Sequence, residues 1–99
     1  AIPAVVLFEL EVGVARSGAP RKRRRQLAEL LSVVGVLPFD AEAAKQSAAV
    51  RAWLEKQGTP IGPYDVLIAG TALAHRGILV THNTGEFSRI KKLQIEDWY

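Results

Sequence analysis

Short apolar segments that favour β-strands alternate along this chain with longer segments that favour α-helices. The clearest strand runs from Ile78 to Thr81, where three of the four residues are β-branched. Shorter strands are predicted from Val36 to Phe39, where we expect burial, and from Gln94 to Glu96. Strands separated by helices favour an α/β fold, here an α/β/α sandwich with a short parallel sheet. With 99 residues, the chain has the size of one domain.

Four helices are predicted from apolar spacing and from the Pro, Asp, Ser and Gly residues that mark helix ends. They run from about Pro3 to Ala15, from Pro20 to about Val34, from Ala41 to about Gln57 and from about Tyr64 to Arg76. Asp40 is the expected N-cap of the third helix. The packed face of that helix is expected to carry Ala44, Ala48, Trp53 and Leu54. The turn before the last strand is expected to be anchored by Phe87, Ile90 and Leu93.

The composition excludes several classes of protein. Apolar residues make up 48% of the chain, enough for a packed core, which excludes intrinsic disorder. No apolar run approaches the ~20 residues of a membrane-spanning helix, and the absence of cysteine excludes disulfides and thiolate metal sites. We therefore expect a cytoplasmic protein. Thirteen Lys and Arg against ten Asp and Glu give a net charge of +3, which suits an anionic partner such as RNA without requiring one.

Two carboxylates are candidates for chemistry. Glu9 lies in the otherwise apolar first helix, where burial of its charge would need a partner or a metal ion. It could equally belong to a solvent-exposed stripe together with Glu11. Asp65 lies in the first turn of the fourth helix, where an acid also interacts favourably with the helix dipole. From the residues alone, both alternatives stay open for each acid.

A third candidate is the polar loop after the strand that starts at Ile78. In open α/β sheets, ligands bind beyond the carboxyl ends of the strands. The polar residues in this loop are Thr81, His82, Asn83, Thr84 and Glu86. The alternative is an ordinary loop with Asn–Thr turn chemistry.

The second helix opens with five consecutive cations, Arg21, Lys22, Arg23, Arg24 and Arg25. One interpretation is a solvated helix face. However, cations at a helix N-terminus oppose the helix dipole, so another interaction is expected to favour them. RNA phosphates and an acidic protein partner are the two candidates.

Taken together, the sequences of these segments resemble those of the PIN-domain toxins of the VapC family. Phe8-Glu9-Leu10 followed by Gly13-Val14-Ala15-Arg16-Ser17 is similar to the family's second acidic motif, and Gly62 to Ala69 is similar to its third. Leu79 to Phe87 resembles the last motif, and the ending from Leu93 to Trp98 also matches. Each motif is weak alone, but four of them occur in order over essentially the whole chain.

The resemblance implies that Glu9 and Asp65 are metal-site acids that hold Mg²⁺ or Mn²⁺, with Asn83 and Glu86 as secondary members of the catalytic site. Many relatives have a fourth Asp at the position of Asn83. The family's first acid lies on an N-terminal strand, which the resemblance places before Ala1. Residues 1–99 are therefore expected to be the C-terminal three-quarters of a PIN domain that lacks its first strand, and to be inactive alone unless another chain supplies that strand.

For the intact protein, the resemblance implies a metal-dependent endoribonuclease toxin of a type II toxin–antitoxin system. Its RNA substrate would be tRNA or rRNA, its partner a VapB-like antitoxin, and its assembly a homodimer. Arg21 to Arg25, with His82 and Thr84, are the expected RNA contacts. One alternative is a non-catalytic binding module that receives an antitoxin segment or nucleic acid. Another is a different α/β domain, similar to a response regulator, in which Asp65 is a lone acid.

Overall fold

The computed structural model describes residues 1–80, 87–90 and 93–96 of the chain. No helix in this part of the chain has the length and apolar character needed to cross a bilayer. In chain order the elements are β1 (Ile2–Pro3), α1 (Ala4–Arg16), α2 (Pro20–Val33), β2 (Val36–Leu37), α3 (Ala41–Gln57), α4 (Pro63–Ala74), β3 (Ile78–Val80) and β4 (Gln94–Glu96).

The strands pair in parallel, as the alternation of strands and helices predicted. Strand β1 pairs with β2, with Ile2 opposite Val36, and β3 pairs with β4, with Leu79 opposite Ile95. Among the described residues these are two separate two-stranded sheets. The prediction of a buried strand from Val36 to Phe39 was wrong, because β2 ends at Leu37 and the Val36 side chain is 40% exposed. Its only described neighbour in the sheet is the two-residue strand β1.

Among the described elements, helices α3 and α4 form the most extensive contact, and they approach closely at Gly70. A Cβ atom added to Gly70 would lie 2.6 Å from the backbone nitrogen of Ser47 and 2.7 Å from its Cα. The face of α3 that α4 buries carries Ala43, Ser47, Val50 and Leu54. The predicted packing face was therefore wrong apart from Leu54: Ala44 and Ala48 are exposed, and Trp53 is 39% exposed.

An apolar cluster joins α3 and α4 to the residues before β4. Its buried members are Val50, Leu54, Val66, Ile68, Ala69, Ala72, Phe87, Ile90 and Leu93. This confirms the anchoring role expected of the last three. Val5 and Val6 of α1 pack against the same cluster and are partly buried. The first turn of α1 is thus held against the core that also holds α4.

The ends of α3 follow local rules that were visible in the sequence. The Oδ1 atom of Asp40 accepts a hydrogen bond from the backbone nitrogen of Ala43 at 2.9 Å, which confirms the predicted N-cap. Gly58 ends the helix in the left-handed conformation, with φ of 74°. The imidazole of His75, which follows α4, lies 3.1 Å from the carbonyl oxygen of Pro38 and links the end of α4 to the segment that precedes α3.

Candidate metal and nucleic-acid site

Glu9 lies in the second turn of α1, one turn beyond Val5, which packs against the core. Its side chain is exposed, and it makes no hydrogen bond or ion pair with the residues that the structure describes. The apolar sequence around Glu9 suggested that its charge would be buried at a cost in free energy, but the side chain is exposed and this cost does not arise. The acid two residues on has a different environment, because Glu11 pairs with Arg24 at 2.5 Å.

Asp65 lies in the first turn of α4 and is half-buried. Gly62 is the N-cap residue and makes no side-chain cap, and Pro63 follows it. A Cβ atom added to Gly62 would lie only 3.2 Å from Oδ2 of Asp65, so the carboxylate folds back toward the start of the helix. The first backbone N–H groups of a helix have no intrahelical acceptor, and their dipoles favour a negative charge at this place.

An aromatic contact joins α1 to α4 next to both acids. The rings of Phe8 and Tyr64 have centroids 5.9 Å apart and planes tilted by 55°. Phe8 immediately precedes Glu9, and Tyr64 immediately precedes Asp65. Consecutive Cα atoms are about 3.8 Å apart, so the two acids are carried by turns of two helices that touch each other.

The remaining members of the predicted catalytic set, Asn83 and Glu86, lie outside the described residues. The same holds for His82 and Thr84, which were predicted to contact RNA. Within the residues that are described, no group of three or more His, Cys, Asp or Glu side chains is arranged to hold a metal ion. Of the predicted catalytic set, the described part of the chain therefore contains Glu9 and Asp65.

The five cations at the start of α2 do not share one environment. Arg24 is tied to Glu11 of α1, and Arg23 donates a hydrogen bond to Gln26 at 3.4 Å. Within the described ranges, the other three make no ion pair; they are Arg21, Lys22 and Arg25. The first turn of α2 contains no acid, and its N-cap residue, Ala19, makes no side-chain cap. The N-terminus of α2 therefore carries exposed positive charge, although the helix dipole disfavours cations at this end.

Two features of this surface were missed by the sequence analysis. The first is the aromatic pair, whose only sequence signal is that each ring directly precedes a candidate acid. The second is an open, mainly apolar groove of about 780 Å³ between α3, the following loop and the start of α4. Phe39, Ala48 and Ile61 are among its lining residues, and none of the predicted site residues that the structure describes lines it.

Comparison with known proteins places the chain in a family. The PIN domain family model matches residues 1–93. The tRNA(fMet)-specific endonuclease VapC of Shigella flexneri is 41% identical over 97 residues, which cover 98% of this chain and 74% of that protein. Ribonuclease VapC2 of Rickettsia felis is 38% identical over 98 residues, covering 99% of this chain and 73% of that protein.

Solved structures agree with these matches. The crystal structure of VapBC2 from Rickettsia felis bound to a DNA fragment from their promoter superposes with a TM-score of 0.94, at 37% identity, over 100% of this chain and 74% of that one. DNA-bound VapBC from Salmonella typhimurium gives a TM-score of 0.93 at 40% identity, over 99% of this chain and 74% of that chain. The chain therefore belongs to the PIN-domain family, among its VapC proteins. This confirms the resemblance and the fold inferred from the sequence motifs.

Proposed function

We propose that this chain belongs to the ribonuclease of a type II toxin–antitoxin pair and that the intact protein hydrolyses RNA phosphodiester bonds endonucleolytically. The observation that carries the proposal is the contact between α1 and α4 at Phe8 and Tyr64, which brings together the helices of Glu9 and Asp65. VapC relatives with 38–41% identity are named as an endonuclease and a ribonuclease.

The chemistry of the two side chains fits a hard divalent cation. Carboxylate oxygens are the ligands that Mg²⁺ and Mn²⁺ prefer, so Glu9 and Asp65 would hold the ion. Glu9 is exposed and needs no rearrangement of the core to bind, and Asp65 is held near the start of α4. When bound, a divalent cation activates a water molecule for attack on phosphorus and neutralises charge on the phosphate. Asn83 and Glu86 are proposed as secondary contacts to water or RNA.

RNA is the proposed substrate, and the exposed cations of α2 are its proposed electrostatic contacts. Of the predicted contacts Arg21 to Arg25, three are available for phosphates, because Arg24 already pairs with Glu11 and Arg23 donates a hydrogen bond to Gln26. The three are Arg21, Lys22 and Arg25. We propose His82 and Thr84 as further contacts to the RNA. A tRNA substrate is favoured because the Shigella flexneri relative is named as specific for tRNA(fMet).

The proposed protein partner is a VapB-like antitoxin. The structural relatives from Rickettsia felis and Salmonella typhimurium are described as VapBC, in both cases bound to DNA. A second copy of the chain, giving a homodimer, is proposed as part of the same assembly. Coexpression with a VapB-like antitoxin, followed by measurement of the mass of the purified complex, tests both proposals.

Substitution of the two acids tests the catalytic assignment. In the full-length protein with Mg²⁺, we expect Asp65→Asn and Glu9→Gln each to reduce the rate of RNA cleavage at least about a hundredfold, because each would remove charge and a ligand from the metal site. The matched control is Glu29→Gln, an exposed acid on α2. Cleavage by Asp65→Asn at the wild-type rate would refute the assignment. The same assay on residues 1–99 tests the expectation that this part of the protein is inactive alone.

A further inference from the structure

Phe8 and Tyr64 form an aromatic pair on the surface of the described residues. Their side chains are 52% and 51% exposed, although their rings contact each other. The centroid separation of 5.9 Å lies in the range of favourable aromatic pairs, so each ring limits the movement of the other. The result is an oriented apolar surface that remains open to water.

The position of the aromatic pair indicates what it binds. Each ring is one residue from a candidate metal-site acid, Glu9 on α1 and Asp65 on α4. An RNA strand whose phosphate reaches these acids can place a neighbouring nucleoside beside the rings. Unstacked RNA bases are commonly bound by stacking on aromatic side chains, and the interaction tolerates any base because every base has a π-face.

We propose that the aromatic pair binds one unpaired nucleobase next to the scissile phosphate, and thereby positions the strand for cleavage. Because the ring planes differ by 55°, one base can stack in parallel on only one ring, and the other ring then contacts the edge of that base. The ring that stacks on the base thus sets the plane of the base, and the ring at the edge limits its lateral movement. This assignment rests on the proposed ribonuclease function and adds the substrate feature that the site recognises.

The adjoining carboxylates favour RNA over an apolar peptide as the occupant. A peptide that covered both rings would also cover the exposed carboxylate of Glu9, which has no described cationic partner. Removing water from an unpaired carboxylate is costly. An RNA strand would instead approach with the cation that screens its phosphate, and the carboxylates bind that cation.

Fluorescence of a short single-stranded RNA oligonucleotide that contains 2-aminopurine tests the inference in the full-length protein. With Mg²⁺ present and an oligonucleotide whose linkages resist hydrolysis, stacking on the aromatic pair quenches the probe. We expect Phe8→Leu and Tyr64→Leu each to weaken binding about tenfold and to reduce the quenching, because the π-surface is lost. The aromatic replacements Phe8→Tyr and Tyr64→Phe should restore binding to within about twofold, because stacking needs only the ring.

The matched control is Trp53→Leu, which removes an aromatic ring that is 39% exposed on α3 and should leave binding unchanged. In cleavage assays with Mg²⁺, we expect the two leucine variants to raise KM more than they lower kcat. Unchanged binding and quenching in both leucine variants would overturn the inference. So would leucine variants that bind RNA normally but lose affinity for the antitoxin, since the rings would then belong to a protein interface.

Failure of the inference and failure of the proposed function give different results. If the wild-type protein cleaves RNA and the leucine variants bind and cleave normally, the ribonuclease proposal stands and the base-binding role is wrong. If the wild-type protein does not cleave RNA but quenches the probe through Phe8 and Tyr64, the base-binding role stands without the ribonuclease function.

Discussion

Gly70 shows how one missing side chain sets the packing of two helices. Its backbone lies so close to Ser47 that a Cβ atom would overlap main-chain atoms of α3. We expect Gly70→Ala to reduce the free energy of unfolding by about 2–3 kcal/mol, because overpacking forces the backbones apart. This loss should exceed the gain of up to about 1 kcal/mol in helix propensity.

Gly13 provides a matched control in α1, because a Cβ atom added there meets nothing within 4 Å. Gly13→Ala should therefore be neutral or stabilising by up to about 1 kcal/mol. Urea unfolding curves of both variants measure the difference. If the two substitutions have equal effects, the close approach at Gly70 does not control the packing of α3 on α4.

Ser47 contributes a second prediction at the same contact. Its Oγ atom is buried and has no hydrogen-bond partner among the described residues. Burial of an unpaired hydroxyl costs about 1–3 kcal/mol, and alanine fits the same space. We expect Ser47→Ala to raise the unfolding free energy by about 1 kcal/mol, measured by thermal and urea denaturation. A clear loss of stability would mean that the hydroxyl makes an interaction beyond the described residues.

At the scale of elements, helix ends were predictable and helix faces were less so. Pro20, Asp40 and Gly58 mark ends because of their own backbone and capping chemistry, which acts within a few residues. Two stripes of small residues fit the helical spacing of α3, one through Ala43 and Ser47 and one through Ala44 and Ala48. The stripe through Ala43 and Ser47 is the buried one, because Ser47 packs against α4 where Gly70 has no side chain. Which face of α3 is buried therefore depends on its contact with α4, and the sequence of α3 alone does not determine it.

In the candidate site, too, local features could be predicted from the sequence and contacts between helices could not. The motifs predict Glu9 and Asp65 as its acids, and their helices could be predicted from spacing. The contact between Phe8 and Tyr64 depends on how α1 and α4 meet, so it could not be predicted from either segment alone. The strand β1 was missed because it has two residues, one of which is a proline that lacks a backbone donor.

Helix α2 combines a structural cation with cations that are available for ligands. Replacement of Arg21, Lys22 and Arg25 by Gln should weaken RNA binding and make its dependence on salt less steep. For single strands, each phosphate contact contributes about 0.7 to the slope of log K against log salt, so the slope should fall by about 2. The control is Arg24→Gln, which removes the ion pair with Glu11 instead.

Titration of RNA binding over a range of KCl concentrations measures both slopes. Arg24→Gln should leave the slope nearly unchanged and lower stability by at most about 1 kcal/mol, because the ion pair is exposed. A triple variant with the wild-type slope would exclude this face of α2 from the RNA interface.

At the scale of the whole molecule, the proposed metal ion would connect α1 and α4, which are distant along the chain and rest on one apolar core. A ligand that binds only the folded state stabilises it by RT ln(1 + [L]/Kd), or about 2.7 kcal/mol at a hundred times Kd. Mg²⁺ or Mn²⁺ should therefore raise the melting temperature of the full-length protein. Asp65→Asn and Glu9→Gln should each abolish that rise, whereas Glu29→Gln should retain it. Because the measurement needs no RNA, it separates metal binding from catalysis. An equal rise in all three variants would mean that the ion binds elsewhere, and the two acids would then have to act on RNA without it.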